Sequence, residues 1–239
     1  MKHLSTNQGP KLMSPRKYSQ YSNKVVEGYI AELLADTVPT AYARTMEKLG
    51  KMLGEALARN ICAKDLNLVV STAEDADSLS KGVISALDQH QLPHKLAVFW
   101  NHHYQTGARS VAPIVNKYLE TGFDNAENII LIKSIISGSC VIKTNLLALI
   151  NNVKSVRFIY ILAPVMHADS ETNLKNEFSS EIAAKFRFIY FVTDTVREDD
   201  GTVRPGIGGE VYDRLGLGGQ PVNVGYIPKL VQDAMLQAS

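Results

Sequence analysis

Apolar residues recur along this chain with two different periods, and the alternation of the two periods predicts an α/β fold. Over residues 40–60 the spacing is helical and follows a proline, which predicts a long amphipathic helix. Five later runs rich in β-branched, leucine or aromatic residues predict buried strands. These runs are 66–70, 96–100, 129–132, 156–162 and 186–192.

Helix-like segments separate the predicted strands. They are 77–89, 110–120, 141–151 and 170–185. The resulting strand-to-strand repeat of about 30 residues is typical of βαβ units. We therefore expect a mostly parallel sheet flanked by helices, with residues 222–226 forming a strand and 227–236 a helix near the end of the chain.

The same patterns suggest how the chain is divided. Residues 1–24 mix Pro, Gly, Ser, Asn and Lys without a hydrophobic period, which predicts a flexible arm. Residues 25–219 carry the alternating pattern and are expected to form one domain. Residues 220–239 are expected to form an extension that packs on the domain or on a partner.

Composition narrows the class of protein. The 239 residues include 25 Lys plus Arg against 24 Asp plus Glu, so no general attraction to nucleic acid or to an anionic membrane is expected. Two cysteines are too few for a disulfide framework and fit a reducing compartment. No run approaches the roughly 18 apolar residues of a membrane span. We expect a soluble, cytoplasmic protein.

Ligands of open parallel sheets bind beyond the carboxyl ends of the strands, so functional residues are expected in the segments after the predicted strands. After the third run comes Lys133, followed by the small residues Ser137, Gly138, Ser139 and Cys140, which open a helix. Free N–H groups at a helix N-terminus bind phosphate. The alternative is that these residues only cap the helix.

A glycine-rich segment near the end of the chain is the second candidate. Residues 201–214 hold four glycines around Pro205 and end in Asp213 and Arg214. Glycine density of this kind lets the backbone approach a flat ligand. The alternative is an ordinary surface loop.

Taken together and in this order, the two segments resemble those of the uracil phosphoribosyltransferases over roughly residues 25–218. Asp194, Gly201 and the Pro-Gly-Ile-Gly stretch 205–208 are similar to the family's Asp, Gly and Pro-Gly-Leu-Gly spacing, and residues 213–214 are similar to its closing Asp-Arg. Residues 161–164 look like the family's next strand and Ala-Pro turn.

The resemblance implies a phosphoribosyltransferase architecture and transfer of a phosphoribosyl group from phosphoribosyl pyrophosphate to a pyrimidine-like acceptor. It also implies a homodimer, a small-molecule nucleotide or sugar phosphate as ligand, and Mg²⁺ as a candidate cofactor. The implied roles fall on residues of both segments. The implied phosphate-binding residues are Lys133, Ser137, Gly138, Ser139 and Cys140, the base-binding residues are Gly206, Ile207 and Gly208, and the catalytic candidates are Asp194, Asp213 and His103.

Two segments depart from the family's pattern. Lys133 stands where the family has an Asp that holds the ribose hydroxyls, and its ammonium could contact phosphate or lie in solvent. Where the family has Arg-Ala-Gly, this chain carries Glu74, Asp75 and Asp77, which would repel pyrophosphate. These carboxylates could bind a divalent metal or could favour the start of the next helix.

The histidine pair His102 and His103 follows the second strand, and one imidazole could act as acid or base near neutral pH. A solvated loop histidine is the alternative. Convergence of Lys133, the carboxylates at 74–77 and a histidine on one pocket would favour an enzyme. Dispersal of these groups into solvent would favour a catalytically altered or inactive relative that serves as a nucleotide-binding or structural subunit.

Overall fold

A mostly parallel sheet with helices on both faces organises the chain in the computed structural model, which describes residues 16–106 and 109–237. In this part of the chain the strands are β1 (Lys17–Tyr18), β2 (Asn67–Thr72), β3 (His94–Asn101), β4 (Tyr104–Thr106), β5 (Arg109–Val111), β6 (Ile114–Leu119), β7 (Asn128–Ile132), β8 (Ile135–Ile136), β9 (Phe158–His167), β10 (Phe186–Asp194), β11 (Val196–Arg197) and β12 (Val203–Arg204). The helices are α1 (Lys24–Ala35), α2 (Pro39–Ala58), α3 (Ala73–Asp75), α4 (Lys81–Gln89), α5 (Cys140–Ile150), α6 (Ser170–Asn176), α7 (Ser180–Ala183), α8 (Val211–Arg214), α9 (Pro221–Val224) and α10 (Lys229–Gln237).

The main sheet has the strand order β1-β10-β9-β7-β2-β3-β6, and β8 pairs with β9. The five central strands run parallel, whereas β1 and β6 lie antiparallel at the two edges. All five strands predicted from the sequence are present, and the predicted α/β class with a mostly parallel sheet is confirmed. Helices join β2 to β3, β7 to β9 and β9 to β10, because parallel neighbours cannot be linked by a tight turn, whereas the strands β4, β5 and β6 lie between β3 and β7.

Alternate residues of the strands pack into two hydrophobic clusters, one on each face of the sheet. Val69 of β2 packs with α1, α2 and α4, whereas its neighbours Leu68 and Val70 pack with α5 on the other face. On α2 the predicted apolar stripe is fully buried. A Cβ atom at Gly50 of α2 would lie 2.0 Å from the carbonyl oxygen of Leu79, so this helix approaches the backbone of the next one closely.

Three predicted elements were wrong in type or extent. Residues 110–120 were predicted as a helix but form β5 and the edge strand β6, in which exposed residues hide the alternation typical of a strand. Residues 222–226 were predicted as a strand, but 222–224 belong to α9, which begins at Pro221 and is capped at its C-terminus by Gly225 with φ +64°. The helix predicted over 170–185 is split into α6 and α7, since Ser179 caps a new helix.

The predicted helix over 77–89 starts earlier and is irregular. Residues 73–75 form α3, Ala76–Ser80 form a π-helical turn, and α4 follows. π-helical turns within helices occur frequently at functional sites. None of the helices in the described part of the chain combines the length and hydropathy that crossing a membrane requires.

Candidate functional site

A cavity of about 660 Å³ lies beyond the carboxyl ends of the central strands. Its wall includes residues that follow β2, β3, β7 and β10, which is where ligands of open parallel sheets bind. Glu74, His103 and Lys133 all line this one cavity. The structure therefore brings together three of the groups that the sequence placed in separate segments.

Lys133 is held by two carboxylates, an arrangement called here the buried ion cluster (Glu74, Asp75 and Lys133). The ammonium nitrogen lies 2.7 Å from Asp75 Oδ2 and 3.1 Å from Glu74 Oε1. The exposed fractions are 8% for Lys133, 6% for Glu74 and 0% for Asp75. Lys133 is thus buried and paired, so the alternative in which its ammonium lies in solvent was wrong. Contact of Lys133 with a phosphate stays a prediction.

The remaining contacts of Asp75 fix the buried ion cluster to the ends of two strands. Its Oδ2 atom accepts hydrogen bonds from Thr72 Oγ1 at 3.0 Å and from the backbone N–H of Ser134 at 3.2 Å. Burial lowers the pKa of Lys133, but Asp75 and Glu74 outweigh it and raise the pKa above its ordinary value. The ammonium therefore stays charged, and its charge is already compensated.

The turn formed by Ser137–Cys140, called here the phosphate turn, lies on the cavity wall and opens α5. A Cβ atom built on Gly138 meets nothing within 4 Å, so the space beside this glycine is open. Cys140 is partly buried, and its thiol lies 3.3 Å from the carbonyl oxygen of Ser110. Ser139, the N-cap residue of α5, makes no capping hydrogen bond with its side chain, so the capping alternative is not observed there. Phosphate binding stays a prediction.

A carboxylate stands beside the phosphate turn. Glu177 accepts a hydrogen bond from Ser139 Oγ at 3.4 Å and pairs with Lys143 of α5. The hydrogen bond from Lys143 is the main reason that the pKa of Glu177 lies below its usual range. Lys143 and Glu177 both line the cavity. Because Glu177 pairs with Lys143, the positive charge of this lysine is also compensated.

The glycine-rich loop that the sequence assigned to a base is held tightly by the rest of the protein. Gly206 has φ +58°, and a Cβ atom there would lie 2.3 Å from the carbonyl oxygen of Val203, so only glycine fits. The Ile207 carbonyl accepts a hydrogen bond from Tyr42 at 3.3 Å, and the N–H of Gly208 donates to Pro205 at 3.2 Å. Among these loop residues Ile207 lines the cavity.

Asp194 lies behind this loop rather than on the cavity wall. Its carboxylate accepts two hydrogen bonds from Arg16, each of 2.8 Å, and one of 2.9 Å from the N–H of Gly206. Arg16 also donates to the carbonyl oxygen of Gly206 at 2.6 Å. These three residues, called here the Arg16 clasp, tie the segment before β1 to the glycine-rich loop.

Asp213, the other acidic candidate, is exposed on α8 and does not belong to the cavity wall. Tyr212 lies beside it in sequence and does line the cavity. Burial, followed by the neighbouring carboxylate of Glu74, raises the pKa of Tyr212 above its ordinary value. The phenol is therefore a hydrogen-bond donor at neutral pH.

His103 is half-buried on the cavity wall and contacts Ser110. Its Nε2 atom lies 2.5 Å from Ser110 Oγ, and its backbone exchanges two hydrogen bonds with the side chain of Gln220. Burial lowers the pKa of the imidazole below its ordinary value of 6.5. A neutral imidazole is suited to accept a proton.

The three carboxylates proposed as metal ligands do not converge. Asp77 points to α10, where its carboxylate accepts from the N–H groups of Lys229 and Leu230, each at 2.8 Å. Glu74 and Asp75 instead hold Lys133, whose ammonium occupies the place that a cation would take. No group of three or more His, Cys, Asp or Glu side chains suited to a metal occurs in the residues described. Glu74, Asp75 and Asp77 therefore do not form a Mg²⁺ site together.

Several residues at or near the site gave no recognisable signal in the sequence. Arg16 lies in the segment predicted to be an arm, Ser110 begins a segment predicted to be helical, and Tyr212 was not singled out. The charged pair Lys143 and Glu177 joins α5 to the residue that ends α6. Tyr212 could have been suspected, because it stands inside the acidic stretch that resembles the family's ending.

This architecture is similar to that of solved structures, although no sequence match was found. No protein-family model matches the sequence, and none of the curated proteins does. The solved structure of the AQ2163 protein from Aquifex aeolicus is similar with a TM-score of 0.64 and 12% identity, over 81% of this chain and 95% of that one. At this identity the likeness shows a shared fold.

Weaker likenesses are found to phosphoribosyltransferases. The hypoxanthine-guanine enzyme of L. donovani has a TM-score of 0.45 and 7% identity, over 65% of this chain and 81% of that one. The adenine enzyme of Thermoanaerobacter pseudethanolicus has a TM-score of 0.41 and 8% identity, over 64% and 82%. These scores carry no argument about function, and the uracil-specific family is not confirmed.

Proposed function

We propose that this chain is a phosphoribosyltransferase-like enzyme that binds a ribosyl 5-phosphate in the cavity and transfers the ribosyl phosphate group to a pyrimidine-like acceptor. One observation carries the proposal, namely that Glu74, Lys133 and His103 converge on a single cavity. Dispersal of these groups into solvent would have favoured a protein without catalysis. The pyrimidine-like acceptor rests on the resemblance of the glycine-rich loop.

The phosphate turn is the proposed site of the 5-phosphate. The first backbone N–H groups of α5 and the hydroxyls of Ser137 and Ser139 are neutral donors on the cavity wall. Neutral donors can hold a phosphate monoester without an unpaired cation. Ile207, at the glycine-rich side of the same cavity, would contact the base.

The proposed chemistry uses groups of this chain alone. Ribosyl transfer develops positive charge at the anomeric carbon, and a carboxylate fixed on the cavity wall, as in Glu74, stabilises such charge. The neutral imidazole of His103 would accept the proton of the acceptor, with Ser110 holding the ring. Glu74, Asp75 and Asp77 do not form a Mg²⁺ site, and no step is assigned to a metal.

A binding experiment with a matched pair of variants tests the proposal. Isothermal titration with uridine 5-monophosphate should show binding to the wild-type chain and loss of binding in Gly138→Val. The open space beside Gly138 means that valine would fill ligand space without a clash inside the protein. Gly28→Val is the control, because a Cβ at Gly28 also meets nothing within 4 Å and the residue lies on α1. Equal binding by both variants would refute the phosphate turn.

A second candidate function is nucleotide binding without turnover. It is favoured by the compensation of Lys133 by two carboxylates and by the engagement of Asp194 in the Arg16 clasp. The two functions separate when labelled uracil is incubated with the protein and, in parallel reactions, with uridine 5-monophosphate or with phosphoribosyl pyrophosphate. Incorporation of label that disappears in His103→Gln supports the enzyme, whereas tight binding with no incorporation supports the binding protein.

A further inference from the structure

The charges on the cavity wall select against a donor that carries a diphosphate. Among the described lining residues the cations are Lys133, Lys143 and Arg197. The carboxylates are Glu74, Glu177, Asp200 and Glu210. Three cations against four carboxylates leave a formal charge of minus one, and His103 adds nothing because burial keeps it neutral.

Two of the three cations are already paired inside the protein. Lys133 contacts Glu74 and Asp75, and Lys143 contacts Glu177. The same pairs also compensate Glu74 and Glu177, so the described lining residues offer no excess of cations to a ligand with several negative charges. Repulsion between a carboxylate and such a ligand grows as the surroundings become less polar, and Glu74 is 6% exposed.

From this charge pattern we infer that the donor is a nucleoside 5-monophosphate, whose anomeric substituent is an uncharged base, rather than phosphoribosyl pyrophosphate. The inference rests on the proposed function and specifies its substrate class. The single phosphate would be held by the neutral donors of the phosphate turn. The uncharged base would lie in the remaining part of the cavity.

The reaction of such a donor with a second heterocyclic base balances without a metal or an oxidant. The bond from the anomeric carbon to the departing base breaks, and its electron pair stays on the base nitrogen, which takes up one proton. The incoming base forms the new bond to the anomeric carbon through a ring nitrogen and releases one proton. Because one proton is taken up and one is released, the net charge of the bound reactants is the same before and after the reaction.

The experiment compares two ligands that share ribose 5-phosphate and differ at the anomeric carbon. Uridine 5-monophosphate and phosphoribosyl pyrophosphate are titrated into the full chain, with and without Mg²⁺. We expect the monophosphate to bind at least about tenfold more tightly in both buffers. Tighter binding of phosphoribosyl pyrophosphate would overturn the inference and leave the proposed function standing. Failure of both ligands to bind would refute the proposed function and the inference together.

Charge variants test the cause of the preference. Glu74→Gln should strengthen binding of phosphoribosyl pyrophosphate by roughly threefold to tenfold relative to the monophosphate. Glu210→Gln, an exposed residue of the same wall, should act in the same direction and guards against misfolding of the buried variant. Glu55→Gln is the control, because Glu55 lies on α2, pairs with His90 and does not line the cavity. An affinity ratio unchanged in both cavity variants would contradict the inference.

Discussion

Among the described residues, two buried clusters each pair a cation with one or two carboxylates, and the clusters differ in whether they line the cavity. The buried ion cluster lines the cavity through Glu74 and Lys133. The Arg16 clasp lies behind the glycine-rich loop, and Asp194 is 2% exposed. An ion pair of similar chemistry therefore forms part of the cavity wall in the buried ion cluster, whereas in the Arg16 clasp it holds two segments of the chain together.

The difference also lies in how many partners each cation has. Arg16 has one carboxylate, that of Asp194, so loss of this carboxylate would leave a largely buried guanidinium without its counter-ion. Lys133 has two carboxylates, so loss of one leaves the other. Removing a single acid should therefore cost more in the Arg16 clasp than in the buried ion cluster.

The largest expected effect is on the free energy of unfolding of Asp194→Ala. Removing this carboxylate leaves Arg16 without its counter-ion and the N–H of Gly206 without its acceptor, which should cost about 3–5 kcal/mol. Urea unfolding followed by circular dichroism measures the change. Asp233→Ala, an exposed carboxylate paired with Lys229, is the control and should stay within about 0.5 kcal/mol of wild type. A cost for Asp194→Ala no larger than the control would mean that the clasp contributes nothing.

A smaller loss is expected for Asp75→Asn. Glu74 continues to compensate Lys133, and an asparagine oxygen can still accept from Thr72, so the free energy of unfolding should fall by about 1–3 kcal/mol. The same urea experiment compares this variant directly with Asp194→Ala. A larger loss in Asp75→Asn than in Asp194→Ala would reverse the ranking of the two clusters.

The smallest effect is a change in the titration of His103. Burial lowers its pKa, whereas Glu210 and Glu74 raise it in part, so Glu210→Gln should lower the pKa further. Because the folded pKa lies below the unfolded value, the neutral imidazole contributes stability above about pH 6.5, and this contribution is lost as pH falls. Ring-proton NMR titration measures the pKa. A pKa of His103 above 6.5 would contradict the burial seen here.

The sequence predicted the central sheet well because its strands are buried on both faces and read as continuous apolar runs. The runs at 129–132 and 186–192 coincide with β7 and β10 within two residues. The edge strand β6 was missed, since its exposed residues leave a mixed pattern that also fits a helix. The helix–strand errors therefore fall at the edge of the sheet and in the C-terminal extension.

The candidate site was predicted only in part. The positions of the phosphate turn and of His103 on the cavity wall agree with where the sequence placed chemistry. The pairing of Lys133 with Glu74 and Asp75 could not be predicted, because it depends on two strand ends that meet only in the folded sheet. The partner of Asp194 was hidden for the same reason, as Arg16 lies 178 residues away in sequence.

The most direct test of the central claim is a crystal structure of the full chain with uridine 5-monophosphate. We expect the phosphate to lie against the backbone of Ser137–Cys140, the base to lie beside Ile207, and the Lys133 ammonium to remain between Glu74 and Asp75. A nucleotide bound outside this cavity, or a phosphate seated on Lys133 with its carboxylates displaced, would contradict the account.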